Sequence, residues 1–99
     1  MSFVTAQPEI LTAAAGSLSG IGDAMTTGMT AAAAPTTGVL PPAADMVSAM
    51  TAAQFSAHAQ MFQQVSAQAA AVHQQIVATL SGNSNAYALT EAANASSAG

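Results

Sequence analysis

Few side chains in this 99-residue sequence could carry out catalysis or hold a metal ion. The only imidazoles are His58 and His73. Their spacing on one predicted helix separates them by about 22 Å, which is too far to share a metal ion. Cysteine is absent, and the four acids are spread along the chain without pairing in sequence: Glu9, Asp23, Asp45 and Glu91. We therefore predict no catalytic residue, no metal site and no bound cofactor.

Two other patterns that could indicate an enzyme lack the sequence context they need. No grouping of Ser, His and Asp lies in a nucleophile elbow. Gly20-Ile21-Gly22 lacks the preceding strand and the further glycine of a phosphate-binding loop. We predict that the chain is not an enzyme, and we interpret both histidines as packed residues that donate one hydrogen bond. A pH-sensitive contact is the alternative for His58, since imidazole titrates near neutral pH.

One pair of residues has the spacing of a recognition signal. Tyr87 is the only tyrosine, and Glu91 follows it four positions later. In a helical segment, residues four positions apart lie on the same face. Taken alone, the Y-x-x-x-E pattern is short and occurs often by chance, so its meaning depends on the elements around it.

The composition excludes several classes of function. The sequence has no Lys or Arg and a net charge of -4, so it cannot neutralise phosphates and we predict no nucleic-acid binding. Docking on an anionic membrane surface is disfavoured for the same reason. No continuous apolar run reaches the roughly 18 residues that a membrane-spanning helix needs. The first residues lack the basic and apolar regions of a cleavable secretory signal.

Helical spacing of apolar residues predicts a first helix after a short extended lead, residues 1–7. Pro8 suits the first turn because its missing N–H costs nothing there. Glu9 places a negative charge at the positive end of the helix dipole. The apolar residues that follow recur at steps of three, four or seven, which predicts a helix over about 8–34. The segment 35–45 contains three prolines and one glycine, which predicts a loop.

A second helix is predicted over about 46–80. Asp45 is a good N-cap residue for it, and Gly82 is a natural stop. Residues 1–82 are thus expected to form one helical hairpin. Residues 83–99 are rich in Asn, Ser and Ala without periodicity, so we predict a mostly flexible tail there.

A stripe of apolar residues follows each predicted helix, and on the second helix it is wide enough to meet the first helix and something else. We therefore predict an all-α fold, an antiparallel two-helix hairpin that completes a four-helix bundle with a partner chain. The partner could be a second copy or another protein. Sequence does not divide the stripe between the hairpin contact and the partner contact. Its members are Leu11, Leu18, Ile21, Met25, Val47, Phe55, His58, Phe62, Val65, Val72, Ile76 and Leu80.

Three motifs in order resemble the mycobacterial PE family over essentially the whole chain. The first is the Pro8-Glu9 pair. The second is Pro41-Pro42-Ala43-Ala44-Asp45, followed by Val47-Ser48, which resembles the family's inter-helix loop and second-helix start. The third is Tyr87 with Glu91, which resembles the Y-x-x-x-D/E export signal beyond the second helix. The absence of all Lys and Arg departs from some members.

This resemblance implies a fold, a partner and a route out of the cell. PE proteins form a helical hairpin that pairs with a PPE protein in a four-helix bundle. The pair is exported folded by a type VII (ESX) secretion system, after an EspG-type chaperone holds it in the cytoplasm chiefly through the PPE subunit. The resemblance thus implies a protein that is transiently cytoplasmic and then secreted or held at the cell surface, with Tyr87 and Glu91 as export determinants.

Alternatives remain open beside this reading. The chain could belong to a cell-envelope transport or permeability assembly formed with its PPE partner. A homodimeric bundle without a PPE partner fits the physical argument but not the resemblance.

The resemblance also indicates a subgroup. The chain ends without a long Gly-rich extension, so we expect a short, PE-only member. Its sequence leans toward the ESX-5 group.

Overall fold

A computed structural model of the protein describes residues 5–99. It contains two α-helices, α1 (Pro8–Thr37) and α2 (Met46–Ala98), and no strand in the described range. The predicted all-α hairpin is therefore confirmed. Of the predicted lead, residues 5–7 are non-helical, and residues 1–4 lie outside the described residues.

The helices pair within two compact units. The terminal unit comprises the described residues up to Gly22 together with Val72–Gly99, and the loop-containing unit comprises Asp23–Ala71. In the terminal unit, Thr12 of α1 bonds to Ser84 of α2, whereas the later Leu18 bonds to the earlier His73. This order makes the pairing antiparallel.

Helix α1 continues past the point where the sequence predicted its end. Pro35 lies inside the helix, which ends at Thr37, so the loop spans 38–45 rather than 35–45. Proline is costly in a helix because it lacks an N–H and its ring crowds the preceding turn. Here the helix has only two residues left, and the Thr37 hydroxyl donates to the Ala33 carbonyl at 2.7 Å, which ties down the last turn.

The start of α2 is the predicted one. Asp45 caps it, because the Ser48 N–H donates to Asp45 Oδ1 at 2.8 Å and the Ser48 hydroxyl donates to Oδ2 at 2.9 Å. The cap satisfies one of the backbone donors that a helix leaves unpaired at its first turn. These two bonds, the backbone one first, hold the pKa of Asp45 below its ordinary value because they favour the charged carboxylate.

The end of α2 was predicted wrongly. The helix does not stop near residue 80 but continues to Ala98, so the predicted tail, 83–99, is helical up to its last residue. Gly82 costs the helix about 1 kcal/mol relative to Ala, but no described glycine has the positive φ of a helix stop. The residues beyond it are rich in Ala and contain no proline, so nothing local ends the helix.

The contact between the helices, which we call the hairpin seam, consists mostly of small side chains in the loop-containing unit and includes larger ones in the terminal unit. It consists of the residues that are buried or half-buried, and they recur at steps of three or four along α2. Ala15, Ala52 and Ser84 are the most buried, at 2%, 5% and 3% exposure. In the loop-containing unit the α2 seam residues are Ser48, Ala52, Ser56, Ala59, Gln63, Ser66 and Ala70. In the terminal unit they are His73, Val77, Leu80 and Ser84.

Candidate interaction surface

The large apolar side chains of α2 lie mostly outside the hairpin seam. In the loop-containing unit, Phe55, Phe62 and Val65 are 64%, 50% and 62% exposed. Their steps of seven and three place them on one face of the helix. In the terminal unit, Val72 and Ile76 are also about half exposed and lie four positions apart. Each unit therefore presents apolar surface that its own α1 segment does not cover.

The structure divides the predicted apolar stripe into two groups. Leu11, Leu18 and Leu80 are half-buried and belong to the hairpin seam. The other members are exposed in the described chain: Ile21, Met25, Val47, Phe55, His58, Phe62, Val65, Val72 and Ile76. The sequence left these large residues undivided between the hairpin contact and the partner contact, and in the loop-containing unit Ala and Ser make most of the α2 side of the seam. A second pattern of small residues, repeating every three or four positions on α2, is the signal that could have identified the seam.

The two histidines occupy different environments. His73 is half-buried and its Nε2 donates to the Leu18 carbonyl, so the prediction of a packed, hydrogen-bonded histidine is confirmed for His73. His58 is exposed, and the same interpretation is wrong for it. It lies in a shallow, open depression on one face of α2, together with Met50, Ala53, Gln54, Ala57 and Met61.

The described residues contain no group of three or more His, Asp or Glu side chains that could hold a metal ion. Glu9, Asp23, Asp45 and Glu91 are all exposed, and no Lys or Arg offsets them. Neither helix is long and apolar enough to cross a membrane, as far as residues 5–99 show. The chemistry that this surface offers is therefore apolar contact, hydrogen bonding and a few isolated negative charges.

Within the terminal unit, two hydroxyl groups and a carbonyl group form hydrogen bonds that join the start of α1 to α2. The Ser84 hydroxyl lies 2.7 Å from Thr12 Oγ1 and 2.7 Å from the Pro8 carbonyl oxygen, and Thr12 Oγ1 lies 3.0 Å from the same carbonyl. We call these three groups the hydroxyl clasp. Sequence reasoning missed Ser84, because it lies in the predicted tail. Its position four residues after Leu80, at seam spacing, is the signal that could have found it.

Tyr87 and Glu91 lie on α2 just beyond the clasp. Because the segment is helical, the four-residue spacing puts both side chains on one face. Tyr87 is 45% exposed, and Glu91 is exposed. Their positions continue the three-or-four-residue steps of the seam residues Leu80 and Ser84. They therefore lie near the α1-facing side of α2, where α1 no longer covers it.

Comparison with known proteins finds relatives of this chain in Mycobacterium tuberculosis. It is 61% identical over 98 residues to PE family protein PE13 of Mycobacterium tuberculosis, and the match covers 99% of each chain. It is 50% identical over 98 residues to PE8 of the same species, where it covers 36% of the relative. It is 54% identical over 95 residues to the PE-PGRS family protein PE_PGRS33 of that species, of which it spans only 19%.

The family assignment depends on more than pairwise identity. A model of the PE family matches residues 4–94. This range takes in the Pro8-Glu9 pair, both helices of the hairpin, and the Tyr87–Glu91 segment. By this match and by its likeness to PE13 over nearly the whole length of both chains, the chain belongs to the PE family.

Proposed function

We propose that this chain is a non-enzymatic subunit of an exported heterodimer with a PPE-family protein. It supplies one helical hairpin of a four-helix bundle and carries a Y-x-x-x-E signal for type VII secretion. The pair passes through the cytoplasm, where an EspG-type chaperone binds it chiefly through the PPE subunit. It then reaches the cell surface or the medium.

The observation that carries the proposal is the contrast between the two faces of α2. In the loop-containing unit, α2 contributes mainly Ala and Ser to the hairpin seam, whereas its large apolar side chains are exposed. Phe55, Phe62 and Val65 expose half or more of their surface in the loop-containing unit. Monomeric soluble proteins rarely expose contiguous apolar patches of large area, and such patches mark interaction sites. Partner helices on this surface would complete a bundle.

The charge pattern supports a partner of a different composition. The chain has no cation in its side chains at neutral pH except a protonated histidine, so two copies would bring only like charges together. Like charges across an interface disfavour association. A partner that supplies Lys or Arg for Glu9, Asp23 or Glu91 suits the charge of this chain better than a second copy does.

The export part of the proposal depends on Tyr87 and Glu91. Family membership makes a type VII route the expected one, and the helical geometry aligns the two side chains as one recognition element. Both are exposed, so a transport component can reach them without unfolding the hairpin. Helical pre-alignment also lowers the entropy that recognition must otherwise offset.

Co-expression tests the proposal directly. The chain is produced with and without a candidate PPE protein, and the products are analysed by size-exclusion chromatography with light scattering. We expect a one-to-one complex with the partner, and an insoluble or poorly folded chain without it. A stable homodimer that does not exchange for the PPE protein would contradict the heterodimer.

A further inference from the structure

We infer that Ser84 is a positioning residue for the Tyr87–Glu91 segment, which it holds in place through the hydroxyl clasp. This inference rests on the proposed function, because it concerns the same export segment. The Ser84 side chain fixes the last covered turn of α2 to the first turn of α1. It thereby sets the direction in which Tyr87 and Glu91 are presented.

The clasp joins the helices whichever way its protons point. Two hydroxyl hydrogens serve three short contacts among Ser84, Thr12 and the Pro8 carbonyl. Either Ser84 donates to the carbonyl and Thr12 donates to Ser84, or Thr12 donates to the carbonyl and Ser84 donates to Thr12. In both arrangements Ser84 forms at least one hydrogen bond to α1. At 3% exposure it does so out of reach of solvent, where competition from water is small.

Ser84 is the last residue of α2 that α1 covers. Every residue from 85 to 99 is exposed, although the helix continues to Ala98. Within the described residues 5–99, no buried or half-buried side chain therefore stabilises the segment 85–98. Isolated helices shorter than about 12–15 residues are marginal in water. The order of this segment depends on the turn that precedes it, and the clasp anchors that turn.

The helical register links the anchor to the export residues. At 100° and 1.5 Å per residue, Tyr87 lies about 60° around the axis from Ser84 and about 4.5 Å further along it. Glu91 lies within about 20° of Ser84 and about 10.5 Å further along. A change in the rotation of α2 at Ser84 would thus turn both side chains by a similar angle.

Ser84→Ala is the variant that tests the clasp. It removes the hydrogen bonds from Ser84 to α1, and the Thr12 hydroxyl can still donate to the Pro8 carbonyl, so the Thr12 hydroxyl keeps an acceptor. Hydrogen exchange is measured on the full chain in the assembly in which it purifies. We expect protection of amides 85–92 to fall roughly fivefold, the equivalent of one net hydrogen bond. Protection of amides 50–70 stays unchanged. Ser81→Ala is the matched control, because Ser81 is exposed.

Export is the second measurement, because a purely structural role would not change it once the complex has formed. We expect Ser84→Ala to lower, about fivefold, the fraction of the complex that a mycobacterial host secretes. The amount of assembled complex in the cells should be unchanged. Unchanged protection of amides 85–92 in Ser84→Ala would overturn the inference. So would normal export of that variant under conditions in which Tyr87→Ala blocks export. If Tyr87→Ala and Glu91→Ala are themselves exported normally, the export signal of the proposed function has failed, and the inference fails with it.

A second pair of variants applies if Ser84→Ala does not accumulate. Thr12→Val keeps the shape of the side chain but removes its hydroxyl, which leaves Ser84 with only the Pro8 carbonyl. Thr12→Ser keeps the hydroxyl and serves as the control. We expect a smaller loss of protection in amides 85–92 for the valine variant, about twofold. Equal protection in the two variants would also overturn the inference.

Discussion

A Cβ atom on Gly22 would lie 2.8 Å from Cδ2 of His73, because the imidazole ring packs directly on the α1 backbone at this glycine. The ring is held there by the bond from its Nε2 to the Leu18 carbonyl. Gly16 and Gly20, by contrast, have open space at the corresponding position. In the terminal unit the close approach of the helices therefore depends on one matched pair, a glycine on α1 and a histidine on α2.

This pair predicts the effect of Gly22→Ala. Alanine favours a helix over glycine by about 1 kcal/mol, but here the new methyl group would displace the His73 ring and break its hydrogen bond to Leu18. We expect the net result to be destabilising, by roughly 1 kcal/mol, and to appear as a lower thermal midpoint in circular dichroism of the purified assembly.

A double-mutant cycle separates the clash from other effects of the methyl group. In the His73→Ala background the space is open, so the same Gly22→Ala change is expected to stabilise the helix by about 0.5–1 kcal/mol. If Gly22→Ala has the same effect with and without the imidazole, the contact between Gly22 and His73 does not limit the approach of the helices.

The Asp45 cap predicts a dependence of stability on acid pH. The pKa of Asp45 is lowered in the folded chain, so its contribution is present above the unfolded aspartate pKa of about 3.9 and is lost as the pH falls through the lower folded value. Asp45→Asn keeps a capping oxygen without a titrating charge. We therefore expect the wild-type chain to lose thermal stability relative to Asp45→Asn when the pH is lowered from 5 to 2.5, as measured by circular dichroism.

Asp45→Ala completes this comparison. It removes the acceptor for the Ser48 N–H, so we expect a lower thermal midpoint than either wild type or Asp45→Asn at pH 7. The other three acids are present in all three chains, so their contributions cancel in the difference. A wild-type midpoint that follows the Asp45→Asn midpoint across the acid range would show that the cap does not favour the charged carboxylate.

The sequence predicted helix starts better than helix ends, for a physical reason. Starts depend on local side-chain bonds, and the cap of Asp45 on Ser48 is visible in the spacing of three residues. Helix ends depend on whether the residues that follow can continue the helix. Pro35 and Gly82 are both helix-breaking residues, yet each is tolerated, since Pro35 falls in the last turn and Gly82 can adopt a helical φ at a modest cost.

The hairpin seam was harder to predict than the helices. Periodicity of large apolar residues normally identifies the face that a helix buries. Here Phe62 and Ile76 are exposed, and Ala52 and Ser84 are buried. Periodicity of large apolar residues could not divide the stripe between a hairpin contact and a partner contact, and it gave no weight to the small residues that the hairpin buries. The long-range bond from Ser84 to Pro8 could not be predicted from spacing, because it depends on the register between the helices.

The exposed apolar face predicts that a charge placed on it blocks pairing. Phe62→Asp puts an unpaired carboxylate where we expect a partner helix, and an uncompensated buried charge costs several kcal/mol, on the order of 3–5. Ile76→Asp is expected to act in the same way in the terminal unit. Both should reduce the yield of complex when the tagged chain is co-purified with its partner.

Gln64→Asp is the matched control for these charge substitutions. It places the same new residue on α2, two positions from Phe62, at an exposed and already polar site. Its helix propensity cost is therefore similar to that of Phe62→Asp, and we expect it to leave the yield of complex near the wild-type value. Normal co-purification of Phe62→Asp would contradict the assignment of this face to the partner.

Tyr87 and Glu91 predict a separation of assembly from export. Both lie beyond Ser84, in a part of α2 whose side chains are all exposed in the described structure, so truncation before Tyr87 should leave the hairpin and its pairing intact. We expect the truncated complex to form in the cytoplasm and to be absent from the culture filtrate.

Substitutions of Glu91 test the same signal without truncation. Glu91→Gln, which removes the charge, should lower export strongly, whereas Glu91→Asp keeps the charge and fits the Y-x-x-x-D/E pattern. Immunoblots of cell and filtrate fractions measure both effects, and export of the truncated pair at the wild-type level would contradict the signal.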